Sequence, residues 1–338
     1  MSRIDVGGQA VIEGVMMRSP SCFVVACRAG DGHIVIRDQR WRSVWEKVKF
    51  LRWPLLRGAV VLWETLQNGL SALTFSANLR MEELERQENE GAPGAPAVTP
   101  LPQRADERPR ASGDPVGIVR LVISAVVLVL VIFVVLPHLL TSLCGFRPQT
   151  VRFHLVDGLI KLALLVAYVG GIALLPDIRR VYQYHGAEHK AIATYEAEEE
   201  LTVDHARAHT RFHPRCGTSF LLIVILTSVL LFALVLHRPL SSSTTLDHLL
   251  KLLIKIPLML PVAGIAYELI KLAGRRRHSP VVRFLIAPGL WLQRLTTREP
   301  TDDQIEVALT AVGRTVAMEE ALHRHEAGAA LEAASAHP

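Results

Sequence analysis

The stretch Tyr182–Phe220, YQYHGAEHKAIATYEAEEELTVDHARAHTRFHPRCGTSF, decides how the rest of the chain is read. It holds five of the fourteen histidines, a run of carboxylates and one cysteine, and an uncharged apolar segment follows it as far as Leu236. Polar, metal-binding chemistry is therefore set directly against a candidate membrane span.

Outward from this stretch the chain keeps the same character. Half of the 338 residues are hydrophobic and the mean hydropathy is positive, which points away from an ordinary soluble protein. The net charge of +5 would suit a nucleic-acid binder. The Lys and Arg residues cluster beside apolar segments, however, so the expected partner is a lipid bilayer and no nucleic acid is expected. Leu121–Phe146 and Cys216–Leu236 carry no charged residue. Leu155–Leu175 has Asp157 and Lys161 near its start, where they can pair or snorkel. Leu249–Leu272 contains Pro257 and Pro261, with Lys251, Lys255, Glu268 and Lys271 towards its ends. Each segment is long enough to cross ~30 Å of hydrocarbon at ~1.5 Å per residue. These segments predict a mainly α membrane protein with about four transmembrane helices, two within residues 116–176 and two within 219–274. A small N-terminal β unit and a His-rich loop domain, residues 177–218, complete it.

Orientation follows from the short loops. Arg179, Arg180, Arg211, Arg215 and Arg275–Arg277 load one side with positive charge, against Arg147, Arg152 and Arg238 on the other. The positive-inside rule places both termini and the motif loop in the cytoplasm of a multi-pass protein of the cell (inner) membrane. The N-terminus has no apolar h-region, so no cleaved signal peptide is expected. Cys22, Cys27, Cys144 and Cys216 are too few and scattered for a disulfide framework, and on one strand Cys22 and Cys27 would face opposite sides.

Residues 1–42 read as a β unit: a strand in VGGQAVIEGVMMR, then a hairpin of Ser21–Ala29 and His33–Trp41 around Gly30-Asp31-Gly32. If the first motif is one extended strand, Gln9, Val11, Glu13, Val15 and Met17 share a face and Glu13 is a lone acid in an apolar row. It is then an edge-strand carboxylate, a salt-bridge partner of Arg18, or an acid aimed into a site. Residues 43–80 read as amphipathic helices, with Trp45, Val48, Leu51, Leu55 and Leu56 on one face and a break at Trp53-Pro54. Arg57 and Glu64 argue for an interfacial helix there and not a span. Residues 81–115, with eight acidic side chains, six prolines and no aromatic, cannot bury enough apolar surface to offset their ordering entropy and read as a disordered linker. In residues 275–338, Val281–Leu295 is too short to span and reads as interfacial or re-entrant. Thr301-Asp302-Asp303-Gln304 starts a helix striped by Ile305, Leu309, Val312 and Val316, and the Ala-rich tail from Ala327 should fray.

Within the central stretch, His185, Glu188 and His189 form HGAEH. Helical spacing puts two imidazoles and a carboxylate on one face, the arrangement of inverted zinc-protease motifs in which the histidines bind zinc and the Glu acts as base. His213, Arg215 and Cys216 in HPRCG follow within thirty residues and add a nitrogen and a sulfur of the kinds zinc prefers. The bland readings are a polar helix face, a turn histidine packed on Pro214 and a small buried cysteine. A rival pair, His205 and His209, is also four residues apart on a helix starting at Thr202, but no acid lies between them. Glu196, Glu198, Glu199 and Glu200 read as a solvated charge run that would supply at most a carboxylate ligand.

VGGQAVIEGVMMR, YHGAEHK, RFHPRCGTSF and PGLWLQRLTTREP, in that order, resemble the YqhQ-like family of bacterial membrane proteins, a domain of unknown function often labelled a predicted metal-dependent enzyme. The resemblance implies importance for Gly8, Gln9, Glu13 and Arg18, for His185, Glu188 and His189, and for His213, Arg215 and Cys216. It leaves His205 and His209 outside the motifs. The tripeptide Gly7-Gly8-Gln9 also resembles the catalytic GGQ of peptide release factors, which the membrane spans argue against.

The leading expectation is a membrane-embedded enzyme dependent on zinc or another divalent transition metal, hydrolytic, with its site at the cytoplasmic face. His185, His189, His213 and Cys216 are the ligand candidates and Glu188 the general base. Glu13 is a second acid, and Arg18 or Arg215 a clamp for an anionic group of an unspecified substrate. Three ligands would indicate catalysis, and four a structural role. The alternatives are a non-enzymatic scaffold with a structural metal or His/Glu network, and a transporter using Asp157, Lys161 and Glu268 at membrane depth. A homo-oligomer is compatible with either class.

Overall fold

The computed structural model describes residues 4–41, 43–44, 53, 56–90, 115–147, 150–275 and 279–335. The expected face of Trp45, Val48, Leu51 and Leu55, residues 91–114 of the linker, and Arg276 and Arg277 lie outside these. Four strands come first: β1 (Gly7–Val11), β2 (Gly14–Arg18), β3 (Cys22–Arg28) and β4 (Ile34–Arg40). They form an antiparallel meander in sequence order. The β3–β4 hairpin turns at Gly32, with φ of 91°, as the Gly-Asp-Gly signal predicts.

The first motif departs from the expectation of one extended strand. It folds back on itself, pairing Val11 with Gly14, and Glu13 occupies the turn at φ 53°. The alternating row from Gln9 to Met17 therefore does not exist. Glu13 points off the tip of a hairpin, in a backbone conformation that costs a non-glycine residue of order 1 kcal/mol.

Eleven of the strand residues, ten of them in β2 and β3, are buried because the sheet is covered on both faces, which is why β2 and β3 read as continuous apolar runs. One face carries Val15, Met17 and Ala26, packed on Tyr184, Ala187 and Ala191 of α5 (Pro176–Glu196) and on Ile305, Ala308 and Val312 of α10 (Asp302–Ser335). The other face, with Val11, Met16, Phe23, Val25 and Cys27, packs on Ala72, Phe75 and Leu79 of α1 (Leu56–Glu90). Cys22 and Cys27 are free and buried on opposite faces. The stripe of Ile305, Leu309 and Val312 docks as its spacing predicts, and the Gln304 side chain accepts a bond from Thr301 N–H at 3.0 Å to cap the helix.

Two boundaries differ from expectation. α1 runs on through residues 81–90, where Glu and Arg favour helix and Glu83 accepts a 2.6 Å bond from Gly30 N–H at the hairpin tip. α10 continues to Ser335, since Ala and Glu are strong helix formers.

Four helical segments are long and apolar enough to cross a membrane: Ile123–Leu143, Val151–Ile172, Gly217–Val235 and Thr244–Leu272. The first is built from α2 (Pro115–Leu130), a five-residue π segment (Val131–Val135) and α3 (Leu136–Leu143). The others belong to α4 (Val151–Ile172), α7 (Gly217–Val235) and α8 (Thr244–Arg275), which passes unbroken through Pro257 and Pro261. α6 (Val203–Ala208) is a short link, capped by Thr202, and α9 (Pro280–Thr296) lies against α7 and α4. α1 also leans on α8, where Arg57 forms an ion pair with Glu268. Residues 173–175, residues 197–216 and the C-terminal end of α8 lie at one end of the span bundle, and residues 144–147 and 236–243 at the other.

Candidate metal centre

α5 brings the HGAEH motif to the seam between the sheet and the spans. Pro176 and Asp177 open the helix as a rigid first turn and an acid at the positive end of the dipole. Glu198, at φ 61°, closes it in a left-handed cap in which Glu199 N–H reaches the Thr194 carbonyl at 3.2 Å. Part of the expected solvated charge run is thus a helix stop. Gly186, inside the motif, has a backbone reason to be glycine. A Cβ there would lie 2.1 Å from the Arg298 carbonyl oxygen, and the chain after α9 runs that close to α5.

Cys216 caps α7, with its sulfur accepting from Thr218 N–H at 3.5 Å. Its position on the helix N-terminus puts it across from the two imidazoles of α5. The donor atoms of His185, His189 and Cys216 all lie within 4.8 Å of one another. The His185 and His189 rings meet edge to face at 4.4 Å between centroids.

The outer nitrogens of the two histidines explain this convergence. His185 Nδ1 lies 2.8 Å from the Thr296 carbonyl oxygen, and His189 Nδ1 lies 2.5 Å from that of Arg211. A carbonyl only accepts, so each Nδ1 carries the hydrogen and each neutral ring presents a lone pair on Nε2. His185 Nε2 lies 3.1 Å from Cys216 Sγ, while His189 Nε2 is buried with no hydrogen bond. Imidazoles held by a carbonyl on one nitrogen, with the other left to face a thiol or a vacant donor position, are what metal ligation requires.

The electrostatics agree. Burial holds the His189 ring below its usual pKa. Burial alone would raise the Cys216 thiol, but the imidazole of His189 and the hydroxyl and N–H of Thr218 outweigh it and hold the thiol below its ordinary value. Glu188 is buried within electrostatic reach of His185 and Cys216, and desolvation pushes its carboxyl up to about 8. Its side chain packs on β1 at Gly8, where a Cβ would sit 2.7 Å from Glu188 Cγ. That contact is a structural reason for the second glycine of GGQ, unrelated to release-factor chemistry.

Three of the four ligand candidates come together, and His213 stands apart. Its ring centroid is 5.7 Å from that of His189, but its Nε2 lies 3.6 Å from Glu196 Oε1, and its backbone is held at both ends by the Gln293 side chain at 2.8 and 2.9 Å. Glu196 also pairs with Arg215, which reaches Asp5 at 3.3 Å. Glu13 forms an ion pair with Arg180 and accepts from the Tyr184 hydroxyl at 3.3 Å. Arg18 stacks on Trp41 and pairs with Glu64 at 3.7 Å, on the α1 side of the sheet. Its partner is not Glu13. The rival histidines are separated by their own contacts: His205 Nδ1 to the Glu200 carbonyl at 2.9 Å, and His209 Nε2 to Glu199 at 2.8 Å.

Zinc at ~2.0–2.1 Å from nitrogen and ~2.3 Å from sulfur separates tetrahedral N and S donors by ~3.6 Å. The 3.1 Å His185–Cys216 spacing needs to open by only a few tenths of an ångström to meet this, so the donor set fits such an ion. The anchors that sequence reasoning missed are the carbonyls of Thr296 and Arg211 and the side chain of Gln293. Backbone carbonyls leave no residue signature, though Gln293 and Thr296 sit within the fourth motif.

The family model described as protein of unknown function (DUF1385) matches residues 53–318. The chain is 32% identical over 322 residues to the uncharacterized protein YqhQ of Bacillus subtilis (strain 168), covering 93% of this chain and 92% of that protein. No solved structure matches.

Proposed function

The chain belongs to the DUF1385 family of proteins of unknown function, and for this member we propose a hydrolytic metal centre held by His185, His189 and Cys216. The observation that carries this reading is the pair of Nδ1–carbonyl anchors, which leave two Nε2 lone pairs and one thiol of lowered pKa converging within 4.8 Å. The N₂S donor set selects zinc over harder cations, and three protein ligands with a fourth position open are typical of catalytic rather than structural zinc. A zinc ion held there would supply Lewis acidity that acidifies water at neutral pH.

The chain's own residues do the rest. Glu188, with a pKa lifted towards neutrality, is matched to accept a proton from water and return it to a leaving group. Arg215 follows the same loop as Cys216 and is the cation nearest in sequence for an anionic substrate group, once released from Glu196 and Asp5. Glu13 and Arg18 serve in this reading to fix the sheet against α5 and α1. The positive-inside bias of Arg179, Arg180, Arg211 and Arg215 assigns this face to the cytoplasm.

A second reading rests on the same 3.1 Å contact: a thiol at a helix N-terminus beside an imidazole is also the pattern of a cysteine nucleophile. Metal content and hydrolysis of ester and fluorogenic peptide probes, measured on protein in lipid nanodiscs, separate the two. About one zinc per chain, chelator-sensitive hydrolysis, and a Glu188→Gln variant that keeps zinc but loses hydrolysis support the metal centre. Chelator-insensitive hydrolysis abolished by iodoacetamide supports the nucleophile. A tightly held zinc whose removal unfolds the protein, with Glu188→Gln unchanged in every assay, would leave a structural scaffold and sink the hydrolytic proposal.

A further inference from the structure

A second group of ionisable side chains lies inside the spans, at the bundle end away from the His185 centre. Asp157 and Lys161 on α4, His138 on α3, and Lys251 and Lys255 on α8 are all buried to 5% exposure or less. Asp157 is six residues into its span and Lys161 ten, roughly 9 and 15 Å deep, so Lys161 is near the middle of a ~30 Å hydrocarbon layer. Lys255, eleven residues into α8, reaches a similar depth.

These groups form one hydrogen-bonded chain. Lys161 Nζ donates to Asp157 Oδ2 at 2.6 Å, and Lys255 Nζ lies 3.3 Å from the same oxygen. Lys255 Nζ is also 3.2 Å from His138 Nδ1, and His138 Nε2 is 3.1 Å from His248 Nδ1. His248 is half-buried and stands one turn inside the start of α8, beside the half-buried Ser142. Burial thus falls along the chain, from the membrane middle to the outer end of the bundle.

The charges along it do not balance. Lys251 has Asp247 at 3.0 Å, but Lys161 and Lys255 share one carboxylate oxygen. No other charged group faces Lys255 among the described residues: α4 adds His154, whose ring nitrogens make no hydrogen bond, and α7 presents Phe232. Two ammoniums on one carboxylate leave an excess positive charge in hydrocarbon, which is removed most cheaply by losing a proton. Only seven of the thirty-seven basic residues are lysine, three of them lie here, and lysine, unlike arginine, can lose its proton.

We propose that Lys255, with Asp157 and Lys161, forms a proton-binding site at mid-membrane that loads and unloads through His138 and His248 from the face opposite the His185 centre. Charged Lys255 has only donors, so neutral His138 accepts at Nδ1 and donates from Nε2 to His248 Nδ1. On unloading, Lys255 passes a proton to His138 Nδ1, His138 passes its Nε2 proton to His248 Nδ1, and His248 releases its Nε2 proton to water. One proton leaves, Lys255 becomes a neutral amine, and both rings exchange tautomers. Loading reverses each step.

The test uses full-length protein in nanodiscs with ¹³Cε-labelled lysine, which gives seven signals. The Lys255 signal, identified by Lys255→Met, is expected to titrate apart from the other six. His138→Ala and His248→Ala are each expected to slow its proton exchange with bulk at least tenfold, with the detergent unfolding midpoint as the check on folding. Should Lys255→Met not assemble, Lys161→Met and Lys251→Met assign the other two buried signals in the group, and the proposal requires an outlying signal that neither substitution removes. Seven signals titrating together, exchange indifferent to both histidines, or a midpoint that shifts by more than one unit between chloride or phosphate and gluconate would overturn the proposal. The last result would assign the excess charge to a bound anion.

Discussion

The protein holds histidines in two buried settings, and the difference between them lies in the second ring nitrogen. In His185 and His189 that nitrogen is tied to a backbone carbonyl, so the first is left as a lone pair aimed at a thiol. In His138 both nitrogens are engaged, one by an ammonium and one by another imidazole. Burial of histidine therefore says little about metal binding. What each nitrogen touches decides whether the ring can serve as a ligand or as a link in a proton path.

The largest effect that would break this contrast is removal of one of the proposed ligands. Cys216→Ser and His189→Ala should each weaken zinc binding by more than ~100-fold, seen in competition with a chromogenic chelator. His138→Ala should leave zinc binding unchanged. In the other setting, Asp157→Asn should lower stability by ~3–5 kcal/mol, since two ammoniums lose their one carboxylate, and should shift the detergent unfolding midpoint without affecting zinc affinity. Gly186→Ala should cost ~1–3 kcal/mol by forcing α5 from Arg298, and unlike Asp157→Asn it should also loosen zinc, because it moves His185.

Glu188 gives a pH test of smaller size. Its native pKa lies near 8 against an ordinary value of 4.5, so between these the native state binds more protons than the unfolded chain. Stability of metal-free protein should therefore fall as pH rises from about 4.5 to 8, and Glu188→Gln should flatten that slope in thermal melts. The smallest effect belongs to Arg180→Ala, whose exposed pair with Glu13 should cost no more than ~1 kcal/mol and leave zinc untouched.

The four spans were legible because length and apolarity are local properties of sequence. Cys22 and Cys27 on opposite faces, the Gly-Asp-Gly hairpin and the Thr202 helix start were legible for the same reason. Helical spacing also gave the shared face of His185, Glu188 and His189. Two things were not local. Glu13 in the turn depended on Val11 pairing with Gly14, which an alternating pattern cannot distinguish from a longer strand. The position of His213 outside the three converging donors depended on Glu196, a residue that composition assigns to a solvated run, and on the Gln293 clamp from a distant helix. His138, His154 and His248 carried no motif, and only the packing of α3, α4 and α8 joins them to the lysines.

The most direct test of the metal centre is zinc-edge X-ray absorption of protein purified without chelators. The account predicts a first shell of two nitrogens near 2.0–2.1 Å and one sulfur near 2.3 Å, with the sulfur shell lost in Cys216→Ser. A zinc shell of nitrogen and oxygen alone, unchanged by that substitution, would contradict it.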